Sequence, residues 1–369
     1  MKIGFVGDIC LSSIDKKFEL NKEIINNLQF SEISNLLKVN NYNIGNLECP
    51  ITNSSEKIEK IGPHLKVDLG SYDFFESLNI NCLSLANNHI KDYGIDGLID
   101  TIDYLKKRNI KYAGNVTEGI NNYYFTIKEN DVSLAVICCA EDEFNSSLDD
   151  EFGTNSINPV SVFYQINELK KHHDHVLVYP HGGNEYSKYP SLKTRNLYRF
   201  YIDCGASAVI GNHTHIIQGF EIYLNCPIFY SLGNFFFPFL SDNKGLLVNF
   251  NISKNELSFE IYFTIQNFLD FSIDFLKNSE LKIAKDKLNK ISQVITSDVD
   301  LQKKNLIYLQ QRRNSYLNIF FPFNKYIVAF LRRTNIIDVK YFKNYLLRIL
   351  NNIRCQSHLD NLIKILKNK

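Results

Sequence analysis

Short apolar runs rich in β-branched residues alternate with stretches of helical periodicity over the first 270 residues. This alternation predicts an α/β domain. Residues 94–109 repeat their apolar positions at helical spacing, and residues 160–173 and 190–204 do the same. The apolar face of the first helix is formed by Ile95, Leu98, Ile99, Ile102 and Leu105. The predicted strands are 2–7, 42–47, 80–86, 133–139, 175–180, 207–211 and 227–232, with further strands at 246–252 and 257–264.

The pattern changes near residue 270, where strands are expected to stop and helical stretches rich in Lys and Asn to follow, as in 278–295 and 341–369. The chain is therefore predicted to divide into an α/β domain, 1–268, and a basic helical C-terminal region, 269–369. Charge divides in the same way: residues 271–369 contain 19 Lys/Arg and 7 Asp/Glu, whereas the preceding residues contain 22 and 33.

The basic C-terminal region has two interpretations. It is either a small helical domain with a solvated face, or a segment that attaches to an anionic partner. That partner would be the inner membrane leaflet, an acidic polymer in a synthesis complex, or the acidic front domain of the same chain. Aromatic side chains beside a basic pair in 320–333 favour an interfacial segment. No nucleic-acid partner is expected, because no motif that reads nucleic acid is present.

The cysteines and the apolar stretches bear on location. The eight cysteines form no CxxC pair and mostly lie in apolar runs, so they are interpreted as reduced core residues. The first residues lead directly into a strand, which leaves no room for a signal peptide. Residues 316–331 are interrupted by polar side chains and are too short to span a bilayer. The expected location is the cytoplasm, with peripheral contact to the inner membrane face as an extension of that expectation.

Polar side chains of the types that bind metals follow five predicted strands. In open α/β architectures the carboxyl ends of the strands form one edge, where ligands bind. Carboxylates, an amide oxygen and imidazoles without thiolate suit Mn²⁺, Fe²⁺ or Zn²⁺ better than Mg²⁺. The side chains are Asp8, Glu48, the run Asn87, Asn88 and His89, His181, and the run Asn212, His213 and His215.

Six motifs at these positions, in this order, resemble the bacterial capsule synthesis family of CapA type, named for poly-γ-glutamate production and belonging to the calcineurin-like metallophosphoesterase superfamily. The resemblance covers roughly residues 1–265. It implies a four-layer α/β sandwich, two sheets flanked by helices, with a dinuclear metal centre at the strand ends. The motifs are GDI, NLECPIT, LSLANNHIKDYGIDGLIDTIDYLKKRNIKYAGN, HGGNEY, GNHTH and YSLGNFFF.

The resemblance assigns a metal-ligand role to six side chains. Glu48 would bridge two ions, Asp8 and His215 would hold one of them, and Asn88, His181 and His213 the other. An extended segment points residues i and i+2 the same way, so His213 and His215 could flank ions about 3.5–4 Å apart. Such a pair of cations lowers the pKa of a bridging water and clamps phosphate oxygens, so hydroxide would be the nucleophile.

Two residues next to the ligands are assigned catalytic roles. His89 would face the leaving group as a proton donor or an electrostatic stabiliser, and Asp92 would accept a hydrogen bond from its ring and keep it oriented and charged. The first site departs from the wider superfamily, because Cys10 replaces the usual histidine of an Asp-x-His motif. Cys10 or Asn46 could supply the missing ligand, or the first ion is weakly held or absent.

Substrate contacts are assigned less specifically. Glu185, Asn234 and Arg195 are the candidates, with Arg195 the first choice for an anion. The alternatives are surface charge for Glu185 and Arg195, and a structural turn for the glycine motif that contains Asn234. His172, His173 and His175 are interpreted as a solvated helix end.

Two functions remain open. The first is a metal-dependent, phosphoesterase-like hydrolase that acts on a phosphoester or an anionic polymer in cell-envelope polymer metabolism. The second is a non-catalytic metal-binding component of a polymer synthesis or export complex. An amidohydrolase barrel is disfavoured, because its His-x-His pair follows an early strand, whereas His213 and His215 follow about five others.

Overall fold

The computed structural model describes residues 1–12, 31–68, 73–147, 151–237, 243–267, 272–317 and 339–367. The strands are β1 (Lys2–Ile9), β2 (Tyr42–Leu47), β3 (Cys82–Ser84), β4 (Lys111–Ala113), β5 (Asn115–Thr117), β6 (Ile120–Asn122), β7 (Tyr124–Glu129), β8 (Val132–Ala140), β9 (Gly153–Thr154), β10 (His175–His181), β11 (Ala208–Ile210), β12 (Phe220–Tyr223), β13 (Cys226–Phe229), β14 (Asn234–Phe236), β15 (Lys244–Ile252), β16 (Leu257–Asn267) and β17 (Ser272–Phe275). The helices are α1 (Ser31–Lys38), α2 (Asp73–Ser77), α3 (Gly94–Lys107), α4 (Pro159–Leu169), α5 (Leu192–Asp203), α6 (Asn278–Thr296), α7 (Asp298–Leu317), α8 (Val339–Arg354) and α9 (Gln356–Lys367).

Two large sheets organise the described residues. The first has the order β17-β16-β15-β1-β2-β3-β4, with β14 paired to the end of β1, and the second has the order β12-β13-β11-β10-β8-β7. Strands β1 to β4 are parallel neighbours, and so are β8, β10, β11 and β13. Parallel strands direct their carboxyl ends to one edge. The polar residues that follow β1, β2, β3, β10 and β11 can therefore meet.

The apolar side chains form layers on both faces of each sheet. Phe5 and Val136 belong to the cluster between the sheets. Their chain neighbours point away from it, Val6 into a cluster with helices α1 to α3 and Ile137 into one with α4 and α5. Successive side chains of a strand alternate between faces, so burial of both faces gives continuous apolar runs. The predicted four-layer arrangement, two sheets flanked by helices, is confirmed.

Some predicted details are wrong. On α3, Ile95 and Ile99 are 39% and 38% exposed, because the buried face is centred on Leu98, Ile102 and Leu105. Strands β4, β7 and β12 were not predicted; their sequences mix polar and apolar residues because each has exposed or half-buried positions. His175 is not part of a solvated helix end, since it begins β10 and is buried against Ser207.

The expectation that strands stop near residue 270 is also wrong. Strand β17 pairs antiparallel with β16, with Thr264 opposite Phe275 and Asn267 opposite Ser272. The first sheet therefore runs past the predicted boundary at 268. The division into two domains stays a prediction.

No helix in the described part of the chain is long and apolar enough to cross a bilayer. The aromatic and basic stretch 320–333, predicted to be interfacial, lies outside the described residues. Most of the apolar stretch 316–331 does so as well.

The helices after β17 pack against the preceding α/β domain. Helix α6 inserts Leu288 into the cluster between the sheets and Ile291 and Ile295 into the cluster outside the second sheet. Basic side chains of this region also meet acidic residues of the front domain: Lys277 bonds Glu32 at 2.8 Å, and Lys343 pairs with Glu59. The acidic front domain, one of the three partners considered for the basic region, is therefore in contact with it.

Arg195 links the two regions and is a correction to the predicted substrate contact. Its side chain lies on α5 and is buried, with Nη1 donating to the carbonyl of Ile295 at 3.0 Å and Nη2 to Asp298 Oδ1 at 2.6 Å. A guanidinium that satisfies the end of α6 and the start of α7 has a structural role. The physical reason is burial, because Arg is retained inside a protein where its donors are paired.

Arg195→Met should lower the free energy of unfolding by about 1.5–3 kcal/mol, because the Ile295 carbonyl loses a charged donor at a buried position. Asp298→Asn is the matched control and should cost less than about 1 kcal/mol, since the Asp298 side chain is 77% exposed. Urea unfolding of both variants measures the difference. Equal losses would contradict a structural role for the buried guanidinium.

Candidate metal centre

The side chains predicted as metal ligands lie together at the carboxyl ends of the strands. Asp8 is near the end of β1 and His181 ends β10, while the other members follow a strand directly or within a few residues. All are buried except Asn88, which is half-buried. The set, brought together from five strand ends, is Asp8, Glu48, Asn88, His181, His213 and His215.

One group of ligand atoms forms around His181. Its Nε2 lies 3.0 Å from Asn88 Oδ1, 3.0 Å from His213 Nδ1 and 3.7 Å from Glu48 Oε1. Glu48, His181 and His213 each offer a ligand atom within 4.8 Å of the others. The distances suit a shared cation, because atoms that bind one ion must lie within a few ångströms of one another.

The second group is formed by Asp8, Glu48 and His215, whose ligand atoms also lie within 4.8 Å of one another. His215 Nε2 is 3.8 Å from Glu48 Oε1, and His215 Nδ1 is 3.9 Å from Asp8 Oδ2. Glu48 is common to both groups. The predicted division of His213 and His215 between two ions therefore matches the way in which the structure groups them.

Glu48 gives the test of whether a metal fits. Both carboxylate oxygens are buried and have no hydrogen-bond partner among the described residues. A buried carboxylate without a partner is strongly unfavourable unless a cation compensates it. Carboxylate and imidazole donors around it are the ligands that Mn²⁺, Fe²⁺ and Zn²⁺ accept. The residues present therefore fit a divalent metal.

The pKa shifts of Glu48 and His213 also reflect ligand side chains that are buried close to one another. Burial, followed by repulsion from Asp8 and Glu185, raises the pKa of Glu48 well above its ordinary value. Burial, then His181 and His215, lowers the pKa of His213 well below its ordinary value. Both directions follow mainly from burial, and neighbouring groups of like charge add to the effect. Neutral imidazoles are the form that binds a metal.

The His-Thr-His segment reaches the site by a turn, and the extended segment predicted for it is wrong. His213 and His215 have φ of 92° and 60°, which lie in the left-handed region that non-glycine residues rarely occupy. Each such residue costs on the order of 1–3 kcal/mol. The turn also lets the backbone N–H of His213 donate to Asp8 Oδ2 at 3.0 Å. The left-handed backbone conformation of this turn, and not strand alternation, places the two imidazoles in different ligand groups.

Neighbouring amides hold the ligands in place. Asn46 Nδ2 donates to Asp8 Oδ1 at 2.8 Å and lies 3.0 Å from His181 Nδ1. Asn46, considered as a replacement ligand, is therefore bonded to two ligands. Asn234 Oδ1 lies 3.0 Å from His215 Nδ1, which leaves Nε2 of that ring facing Glu48. Asn234, predicted to contact substrate, instead orients a histidine.

The glycine motif before Asn234 allows this contact. A Cβ on Gly7 would lie 1.8 Å from the carbonyl oxygen of Gly233, so β1 and the start of β14 approach as closely as they do only because Gly7 lacks a side chain. Gly233 has φ of 71°. The motif therefore forms a turn, one of the two interpretations of its sequence, and the turn places Asn234 against His215.

His89 and Asp92 lie beside the ligands as predicted, and a third residue joins them. His89 Nδ1 is 2.8 Å from Asp92 Oδ2 and 3.1 Å from Lys60 Nζ, and Lys60 also pairs with Asp92. Burial and then Lys60 lower the pKa of His89, against the opposite effect of Asp92. The net direction runs against the expectation that Asp92 keeps His89 charged, because burial outweighs the effect of the carboxylate. Sequence reasoning missed Lys60, because a lysine in a charged loop resembles a surface residue.

Of the remaining substrate candidates, Glu185 lies near the site. It follows His181 in the loop 182–187, is half-buried, and acts on the pKa of Glu48 and His181. The next residue, Tyr186, places its ring 5.7 Å from the His215 ring. Arg195 is instead held by the C-terminal helices.

Cys10 is a buried residue whose surroundings favour the neutral thiol. Burial, followed by a hydrogen bond and repulsion from Cys49, raises its pKa well above the ordinary value. A thiol ligates a metal as the thiolate, so this direction disfavours Cys10 as the missing ligand. The two ligand groups found among the described residues do not include it.

The sequence matches the family described as "Bacterial capsule synthesis protein PGA_cap" over residues 2–238. The PGA biosynthesis protein CapA of Bacillus subtilis (strain 168) is 29% identical over 265 residues, which are 69% of this chain and 68% of that protein. The capsule biosynthesis protein CapA of Bacillus anthracis is 32% identical over 233 residues, 58% of this chain and 56% of that protein.

Among solved structures, the 5'-nucleotidase from Candida albicans SC5314 is similar at 12% identity, with a TM-score of 0.43 over 85% of this chain and 58% of that one. This likeness is weak beside the family match, which includes all six side chains of the ligand set. The chain belongs to the bacterial capsule synthesis protein family PGA_cap.

Proposed function

We propose that this protein is a metal-dependent phosphoesterase that acts in cell-envelope polymer metabolism, on a phosphoester or on an anionic polymer that contains one. The observation on which the proposal rests is the buried Glu48 carboxylate, which lacks a hydrogen-bond partner among the described residues and is common to two ligand groups. Such an arrangement is built to hold cations. Membership of a capsule synthesis family supports the metabolic setting.

The ligand sets follow from the two groups. Glu48 would bridge, Asp8 and His215 would complete one site, and Asn88, His181 and His213 the other. When bound, a dinuclear centre of Mn²⁺, Fe²⁺ or Zn²⁺ activates a water and neutralises charge on phosphoryl oxygens.

The chain's own residues handle the leaving group and the orientation of the ligands. Asp92 accepts a hydrogen bond from Nδ1 of His89, so Nε2 of the protonated ring would be the nitrogen that gives a proton to the departing oxygen. Lys60 neutralises the buried Asp92 carboxylate. Asn46 and Asn234 fix Asp8, His181 and His215, so the ligands are preorganised for the metal.

The alternative is a non-catalytic metal-binding component of a polymer synthesis or export complex. It is favoured by the small ligand set of the Asp8 group, which has three members and gains none from Cys10. A first ion held this loosely could be absent. Metal content and turnover of the same preparation distinguish the two functions.

Glu48→Gln and His213→Ala should each reduce bound metal to about half or less of the wild-type content and abolish hydrolysis of bis(p-nitrophenyl) phosphate, because each removes a ligand from a buried site. His172→Ala is the matched histidine control, since that side chain is 68% exposed on a helix end. Elemental analysis of purified protein and release of nitrophenolate are the measurements. Full metal content without turnover in the wild-type chain would favour the non-catalytic alternative.

His89→Ala should lower kcat by roughly 10²-fold or more, the size expected for loss of a general acid, while metal content stays at the wild-type value. Asp92→Asn should lower kcat by less, because it disturbs only the orientation of the ring. An aryl ester whose leaving group needs no proton should be affected less than an alkyl ester. If both esters slow equally, His89 does not act as the proton donor.

Cys10→Ser should keep the metal content and the turnover within about twofold of wild type, because a buried protonated thiol is not a ligand. Elemental analysis of the variant next to Cys49→Ser, whose thiol contacts Cys10, provides the comparison. Loss of one metal equivalent in Cys10→Ser alone would show that the thiolate binds the first ion.

A further inference from the structure

The C-terminal helices reach the loop that follows the metal-site residue His181. Asn361 on α9 donates from Nδ2 to Asn184 Oδ1 at 2.6 Å and to the hydroxyl of Tyr316 on α7 at 3.1 Å. The Tyr316 hydroxyl is also 2.9 Å from His358 Nδ1. Tyr316, His358 and Asn361 lie beyond residue 238, where the family match ends. The extension is therefore part of the surroundings of the site.

Buried contacts fix the position of α9. Ser357 Oγ donates to Glu141 Oε1 at 2.6 Å, and Cys355 Sγ lies 3.1 Å from Glu141 Oε2. Gln356 Nε2 donates to Asp142 Oδ2 at 2.8 Å. Glu141 directly follows β8, the neighbour of β10 in the second sheet. The helix is thus anchored to the same sheet that presents His181.

Helix α7 turns a stripe of side chains toward this junction. Tyr308, Arg312 and Tyr316 are four residues apart and so lie on one face of the helix. Tyr316 is buried at the junction, whereas Arg312 is exposed, with its guanidinium carbon 5.8 Å from the centre of the Tyr308 ring. Arg312 therefore stands at the solvent side of the same face.

The positive charge of Arg312 affects the pKa of Tyr186 and of His358. Burial, then Glu185 and Glu48, raises the pKa of Tyr186 to about 12, and the Arg312 guanidinium opposes this rise. Burial lowers the pKa of His358, and Arg312 adds to that effect while Glu141 and Glu185 oppose it. Tyr186 is the residue whose ring lies against His215.

A cation outside the metal centre would attract a second anionic group of a substrate. Lys60 is buried and held by Asp92, so it is committed to the His89 cluster. Glu185 is half-buried in the loop after His181, and its carboxylate would repel an anion. Arg312 on α7 offers exposed donors in a geometry that suits phosphate oxygens.

We propose that helices α7 and α9 form the outer wall of the substrate site and that Arg312 is a specificity-determining residue, binding an anionic group of the substrate outside the metal centre. The proposal rests on the proposed function for the identity of the site. It adds a residue from the part of the chain that the family match does not include. A substrate with a second anionic group, as in a polymer of phosphoesters or carboxylates, is the class that such a wall selects.

The test is calorimetric titration of inorganic phosphate into the Mn²⁺-loaded full chain. Arg312→Gln should weaken phosphate binding about tenfold, since a charged donor is lost. Glu185→Gln should strengthen binding, because a repelling carboxylate is removed. Arg313→Gln is the matched control and should stay within about twofold, since Arg313 lines a separate cavity of about 340 Å³ with Leu309 and Ile365.

Equal affinities in Arg312→Gln and Arg313→Gln would overturn the proposal, as would a wild-type chain that holds Mn²⁺ without binding phosphate. Turnover of an aryl phosphate is read separately. A chain without turnover that loses phosphate affinity only in Arg312→Gln retains the anion-binding wall and loses the proposed enzymatic function. If the chain has turnover and its phosphate affinity does not depend on Arg312, the proposed enzymatic function is retained and the anion-binding wall is ruled out.

Discussion

The structure depends on one electrostatic constraint, a buried carboxylate that protein groups leave uncompensated. Glu48 lies near Asp8 in an interior that also raises its pKa, and neither of its oxygens accepts a hydrogen bond from the described residues. A fold does not keep such a group for stability, because its desolvation is costly and no partner repays it. The imidazoles on two sides and the strained turn at His213 and His215 have the same explanation. Each becomes reasonable when cations occupy the two ligand groups.

The two-sheet sandwich satisfies this constraint by rigidity. Side chains of five strands meet where their carboxyl ends converge, and the strands are buried on both faces, so their positions are fixed by packing. Amides then set the direction of each ligand, as Asn46 does for Asp8 and Asn234 for His215. Close backbone approach at Gly7 brings the second of these amides into range. Scaffold and ligand orientation are thus parts of the same packing arrangement.

The C-terminal extension changes how the family's site is bounded. Its helices contact the acidic front of the molecule through buried polar pairs, including Ser357 with Glu141 and Arg195 with the end of α6. The lopsided charge of the chain is partly used within the molecule, because Lys277 pairs with Glu32 and Lys343 pairs with Glu59. A basic stretch that the sequence alone leaves open between membrane, polymer and intramolecular partners has an intramolecular contact.

The sequence by itself determined the α/β class and the ligand types, and its family resemblance implied the layers. Continuous apolar runs follow from strands buried on both faces, and a polar side chain at a strand end is visible in one dimension, as with Asp8 and Glu48. Only the tertiary structure decided what depends on distant segments or on backbone torsion. Lys60 reaches His89 through a loop, Arg195 turns away from the site because a helix a hundred residues later covers it, and His213 adopts a left-handed φ that no local pattern encodes. The physical reason is that periodicity reports which face of an element is buried, whereas the partner that buries it is chosen by long-range packing.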